Sequence, residues 1–412
     1  MSDSQFRAVL DSIQNAPGRP ADLPRPPTRV TVLGTGPVGL LLACEALVAG
    51  LEVRLSSLYG RDLGMLREAG AITVRGEHLV GSYAVSSGKS GEPAIELVDN
   101  VDDAVKGSDI VFIATPATSH TTYAGVLARA LVPGQTLVLV PGRFLGSVAV
   151  SRALKANMAP GGLTVAELEH PPYLATSKGA AVRVLAVANA VSCASLPVDA
   201  APDLCAGLAD VFGMLQPVDS PLDIAFSTIT GVLNVAPLAN NALALEAEAD
   251  ALLRDLVTPG LSRTVLRQLD EERRAVAFRF GVRDPGSAAA WLLRAFGDAE
   301  ADPATDDLAT AIQELEAFDD VLAGWDGGPH VVDDVAHVLV PLASAGRACG
   351  VPTPITDAVV ALSSSLAGTD LGAAGRTLDR LGLGAHAPSD LRRALADSAT
   401  THPMNVLNRQ AV

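Results

Sequence analysis

The sequence predicts an α/β domain with a doubly wound sheet, followed by an all-helical domain. Three observations predict it. A strand, a glycine turn, a helix and a second strand follow one another from Arg29 to Leu55. Strand-like runs then alternate with helical stretches to about residue 200, as in a doubly wound domain. Beyond that point the apolar residues recur at helical spacing only. A chain of 412 residues accommodates two domains. The expected boundaries are an N-terminal arm over 1–28, a nucleotide-type domain over 29–202 and a helical domain over 203–412.

Composition narrows the classes. Apolar residues make up 49% and charged residues 18%, the balance of a folded chain. The net charge of -16 and the 4% aromatic content speak against a nucleic-acid partner. No stretch reads as a signal peptide or reaches the roughly 20 apolar residues of a membrane span, so the expectation is a cytoplasmic protein without a membrane partner. Cys44, Cys193, Cys205 and Cys349 are too scattered for a zinc motif and read as buried thiols.

The first element is Arg29–Leu33, a continuous β-rich run of the sort buried in a parallel sheet. Gly34, Gly36 and Gly39 follow in the sequence GTGPVG, with Pro37 and Val38 between them, and then an apolar helix to Val48. Gly34 permits a tight turn, Gly36 lets backbone approach a diphosphate, and Gly39 lets the helix pack closely on the strand. The helix start offers unpaired N–H groups and a partial positive charge to phosphate. This is the pattern of a Rossmann-type dinucleotide site. NAD-binding chains usually carry a carboxylate at the end of the second strand. Here Ser56, Ser57 and Arg61 stand there, which predicts NADP(H) over NAD(H).

Further strands are predicted over 109–114, 135–140, 163–166 and 182–188. The turn Thr115–Pro116 after the first of them is expected beside the nicotinamide ribose. His120, Arg143 and Glu167 are expected near the ligand crevice at the strand ends. In the second half, helices are predicted over 203–213, 225–256, 261–280, 288–296, 308–323, 335–349 and 355–367. A cleft between two such domains suits a small-molecule substrate, and the layout leaves homodimerisation open.

Spacings of four and three residues put His330, Asp334 and His337 on one helical face. Three readings remain open there: an acid/base pair, a metal site, and a solvated helix start. No further ligand cluster supports a metal, and none is expected.

With these elements in place, the chain resembles the opine dehydrogenase family, the octopine and nopaline dehydrogenase-like proteins. The resemblance rests on GTGPVG at 34–39, Thr115–Pro116–Ala117 with His120, ELEHPPY at 167–173, the stretch 228–237, and Asp333–Asp334–Val335 leading to GVPTP at 350–354. It implies a nucleotide domain joined to a helical domain. It also implies NAD(P)H-dependent reduction of the imine formed between an amino acid and a 2-oxo acid, with a His–Asp pair handling the proton. Three positions depart from the family pattern. Thr230 falls at the position of the family's Asn, and Asn234 at that of the catalytic His. Pro329 falls at the position of the Arg that would hold the 2-oxo acid carboxylate. Asp334 keeps the family's Asp position.

The resulting expectation is an NADPH-dependent imine reductase. Asp334 with His330 would supply the proton or stabilise the iminium, and Asn234 would orient the substrate. His120, Arg143 and Thr230 would complete the substrate side. The alternatives are a C=O reductase on the same scaffold and a non-catalytic NADP(H)-binding homologue. The first usually needs a Lys on the long helix, and 222–258 contains none.

Overall fold

A computed structural model describes residues 27–58, 60–88, 92–235, 241, 252–257, 261–297, 307–321 and 329–396. The predicted arm lies outside the described residues except for Pro27 and Thr28. The chain divides into two compact units. One takes the described residues through Gly142 together with Gly146–Pro221. The other takes Arg143–Leu145 and the described residues from Leu222 onward.

The first unit is built on a twelve-stranded sheet. In chain order the strands are β1 (Arg29–Leu33), β2 (Glu52–Ser56), β3 (Ala71–Gly76), β4 (Gly81–Ser86), β5 (Ile95–Leu97), β6 (Ile110–Ile113), β7 (Thr136–Leu139), β8 (Thr164–Leu168), β9 (Tyr173–Lys178), β10 (Ala181–Val187), β11 (Val191–Leu196) and β12 (Leu215–Pro217). Their order across the sheet is β12-β11-β8-β7-β6-β1-β2-β5-β4-β3-β10-β9. The run from β5 to β8 is parallel, and β1 sits at its centre with Leu33 opposite both Ser56 and Ile113. The chain leaves β1 toward β2 on one side and later reaches β6 on the other. Their carboxyl ends therefore flank the crevice where dinucleotides bind in such sheets. Strands β1, β6 and β7 are apolar almost throughout because helices cover both faces of a parallel sheet. Val111, Ile113, Leu137, Leu139 and Val165 join Tyr123, Leu127 and Leu154 in one buried cluster.

The sheet is wider than the sequence suggests. Strands β3, β4, β5, β9 and β12 are short or half-exposed, and the buried β11 is interrupted by Ser192 and Ser195, so none carries a continuous apolar run. The predicted strand over 182–188 is β10, which pairs antiparallel with β9 and parallel with β3. A strand also occurs past residue 200: β12 pairs parallel with β11.

The second unit is helical among its described residues. Helix Leu261–Arg279 buries Leu266, Leu269, Arg273, Val276 and Ala277, a stripe at helical spacing. Glu272 on the same helix accepts from the Ile355 and Thr356 amides, each at 2.8 Å, and so caps helix Pro354–Ala367. Phe226 packs on Phe144 at 5.1 Å and on Phe280 at 5.0 Å. The helix predicted over 225–256 is broken. Its described parts are helix Pro221–Ser227, the π-helical turn Gly231–Val235 and the short helix Leu253–Leu256; 236–240 and 242–251 lie outside the described residues. The predicted helix over 335–349 likewise opens with a π-helical turn, Val335–Leu339, which separates helix Pro329–Asp334 from helix Val340–Cys349. π-helical turns are rare and concentrate at functional sites.

Candidate active site

In the first unit, the turn after β1 is held by close backbone contacts. Gly34 has φ +124°, and a Cβ there would lie 2.3 Å from the Ala114 carbonyl oxygen after β6. A Cβ on Gly39 would lie 2.1 Å from the Gly34 carbonyl oxygen. Gly36 differs, because a Cβ on it would meet nothing within 4 Å. The open side of the turn is thus at Gly36, at the start of helix Pro37–Val48. That helix start has no side-chain cap and no acidic residue in its first turn, and Pro37 supplies no N–H. Gly36 is exposed and Val38 half-buried, so the first-turn amides remain accessible to an anion. These residues fit a dinucleotide diphosphate.

Thr115 and Pro116 follow β6. Ser119 Oγ donates to Thr115 Oγ1 at 2.7 Å, and His120 Nε2 lies 3.0 Å from the Thr115 carbonyl oxygen. His120 is fully buried. It braces this turn instead of facing a substrate, which corrects the substrate-binding expectation. Ser56 is also fully buried, and its hydroxyl donates to the Val98 carbonyl at 2.7 Å. That donor is spent, so Ser56 leaves the set expected to hold a 2′-phosphate. Ser57 is buried as well, and Arg61 lies on helix Gly60–Ala69 with its side chain outside the described residues. The sequence reading missed Asp62 on that helix, whose carboxylate accepts from Thr35 Oγ1 in the glycine turn at 2.9 Å. Glu167 is buried within β8, where it accepts from the Ser147 amide and hydroxyl at 2.9 and 3.0 Å and caps helix Gly146–Ala156.

In the second unit, a polar cluster gathers on the two π-helical turns and their flanks. Arg143 has φ +64° and is 6% exposed. Its Nη1 lies 2.8 Å from Asp334 Oδ1 and donates to Thr230 Oγ1 at 2.6 Å, while its Nε donates to Asp333 Oδ2 at 3.2 Å. Left-handed backbone at a non-glycine residue costs on the order of 1 kcal/mol. The ion pairs hold Arg143 there, together with the Phe144 amide donating to the His337 carbonyl at 3.1 Å and Arg376 Nη1 donating to the Phe144 carbonyl at 2.7 Å. Arg143 is therefore the counter-ion of two buried carboxylates. Its guanidinium is engaged within the protein, contrary to its expected place on the substrate side.

Asp334 is 0% exposed. Burial pushes its carboxyl above the usual carboxylate range, against the opposing pull of Arg143 and Asn234. Asn234 Nδ2 donates to Asp334 Oδ2 at 2.8 Å. The two positions that the resemblance aligns with the family's His and Asp, 234 and 334, are thus hydrogen-bonded to each other. Asn234 is the half-buried member of a turn whose other residues are buried. His337 Nδ1 lies 3.5 Å from Asp333 Oδ1, four residues earlier in the chain. His330 is on helix Pro329–Asp334, and its side chain lies outside the described residues. Asp333, the second carboxylate on Arg143, was not singled out as a functional residue; the doublet Asp333–Asp334 was its signal, since two adjacent buried carboxylates require a buried cation.

The helical unit matches the model of the NAD/NADP octopine/nopaline dehydrogenase alpha-helical domain over residues 217–367. The chain is 28% identical over 372 residues to the opine dehydrogenase of Arthrobacter sp. (strain 1C), covering 88% of this chain and 98% of that relative. Among solved structures it resembles octopine dehydrogenase in complex with NADH and agmatine, with TM-score 0.65, 18% identity and coverage of 86% of this chain and 96% of the other. It also resembles NADP+-bound yersinopine dehydrogenase, with TM-score 0.63, 15% identity and coverage of 92% and 99%. The glycine turn, the Asn234–Asp334 pair and these similarities agree: over most of its length the chain is similar to opine dehydrogenase-like proteins, and residues 217–367 match the helical domain of that family.

Proposed function

We propose that the protein is an NADPH-dependent reductase of a C=N bond formed between an amine or amino acid and a carbonyl compound. The observation that carries this reading is the hydrogen bond from Asn234 to the buried, ion-paired Asp334. A Lys on this segment would suit carbonyl reduction, but the segment carries an amide that cannot titrate. The nicotinamide, when bound, supplies the hydride. Gly34, Gly36 and Gly39, with the first-turn amides at Val38 and Gly39, would hold the diphosphate, and Thr115 and Pro116 would stand beside the nicotinamide ribose. Asn234 orients the substrate nitrogen. Asp334 and Arg143 hold Asn234, with Thr230 fixing the Arg143 guanidinium.

The preference for NADPH rests on the lack of a carboxylate at the end of β2 and on Ser57 and Arg61. An Arg61→Ala variant should raise KM for NADPH several-fold with little change for NADH. The reaction itself is tested by following NAD(P)H oxidation with a keto acid alone, with keto acid plus amino acid, and with a preformed imine. Turnover only where a C=N bond can form supports the proposal. Equal turnover of the keto acid alone identifies a carbonyl reductase instead.

A further inference from the structure

We infer that the substrate binds as a cationic imine that already carries its N–H proton, recognised by the Asn234 side-chain carbonyl oxygen. This rests on the imine-reductase reading above and specifies its substrate class.

The argument starts at Asp334. Both of its carboxylate oxygens face donors, Oδ1 toward Arg143 Nη1 and Oδ2 toward Asn234 Nδ2. A carboxylate only accepts, so it fixes the orientation of the Asn234 amide with the NH2 group turned inward. The amide oxygen therefore lies on the opposite edge of the plane. It makes no hydrogen bond among the described residues, and it belongs to the half-buried residue of the turn. Asp334 itself has no exposed surface, so it acts through Asn234 and is a positioning residue.

The charged neighbours favour the same polarity. Arg143 is spent on Asp333, Asp334 and Thr230, and Arg376 on the Phe144 carbonyl. His337 is turned to Asp333. The group presented outward is thus a hydrogen-bond acceptor backed by a carboxylate. It would repel a carbonyl oxygen and attract an N–H bearing positive charge. Hydride addition then needs no proton from the protein. A C–H bond forms at the imine carbon, the π pair of C=N becomes the nitrogen lone pair, the N–H stays in place, and NAD(P)H leaves as NAD(P)+.

The test uses two probes with saturating NADPH: a cyclic imine that protonates to an N–H iminium, and its N-methyl iminium salt, a permanent cation with no N–H. Both are measured with the wild type and with Asn234→Leu and Asn234→Gln. The wild type should favour the N–H probe in kcat/KM by about tenfold or more, the range of a hydrogen bond to a charged donor. Asn234→Leu should lose most of that preference, and Asn234→Gln should restore part of it. Thermal unfolding and NADPH binding confirm that the variants are folded. Steric exclusion of the methyl group would leave the preference intact in Asn234→Leu and would overturn the inference. Equal turnover of both probes by the wild type also overturns it while leaving imine reduction standing. Failure of both probes alongside turnover of a keto acid alone sinks both readings.

Discussion

Arg143 shows how one residue can look like a binding group in sequence and turn out to be a counter-ion in space. A lone Arg after a strand invites a carboxylate ligand, and here the carboxylates are Asp333 and Asp334, 190 residues onward in the case of Asp333. Removing one partner of a buried ion pair leaves an uncompensated charge, which costs about 3–5 kcal/mol. Arg143→Ala should therefore lower the unfolding free energy by that order in urea titration. It should also cut kcat, because Asp334 loses the group that fixes its orientation. A variant as stable as the wild type would show that the carboxylates are protonated or solvated in the native protein. Asn234 was legible by alignment to the family's catalytic position, and its bond to Asp334 follows from that. The orientation of its amide was not legible, because it depends on the Asp334 carboxylate that only the folded chain sets beside it.

At the scale of elements, the proposed chemistry falls on the glycine turn and the two π-helical turns. The three glycines of the turn are not equivalent. A methyl group on Gly39 would collide with the Gly34 carbonyl, so Gly39→Ala should destabilise the fold and lower the melting temperature by several degrees. Gly36 has open space, so Gly36→Ala should melt like the wild type. Calorimetry should nevertheless show Gly36→Ala binding NADPH at least tenfold more weakly, because the added methyl stands beside the diphosphate amides. Unchanged affinity in Gly36→Ala would place the diphosphate elsewhere. The π-helical turns were invisible in sequence. Apolar spacing through 225–235 and 335–349 suits an ordinary helix equally well.

On the scale of the whole chain, the sequence revealed the parallel centre of the sheet and the change to helices, because buried parallel strands are continuous apolar runs. It hid the outer strands. β4 reads GSYAVS with alternate residues exposed, and β12 is three residues long, so neither stands out from a loop. The candidate site was legible where chemistry imposes a pattern: the glycine turn, Asn234 and Asp334. It was misread where burial decides the role, as for Ser56 and His120, each fully enclosed and bonded within the first unit. The most direct test of the account is isotope transfer. The protein is incubated with a preformed cyclic imine and NADPH carrying deuterium at the transferred C4 position, and the product is analysed by mass spectrometry. The account predicts an amine one mass unit heavier, with deuterium on the carbon bonded to nitrogen. Unlabelled amine, or label appearing only in an alcohol when a keto acid is supplied, would contradict it.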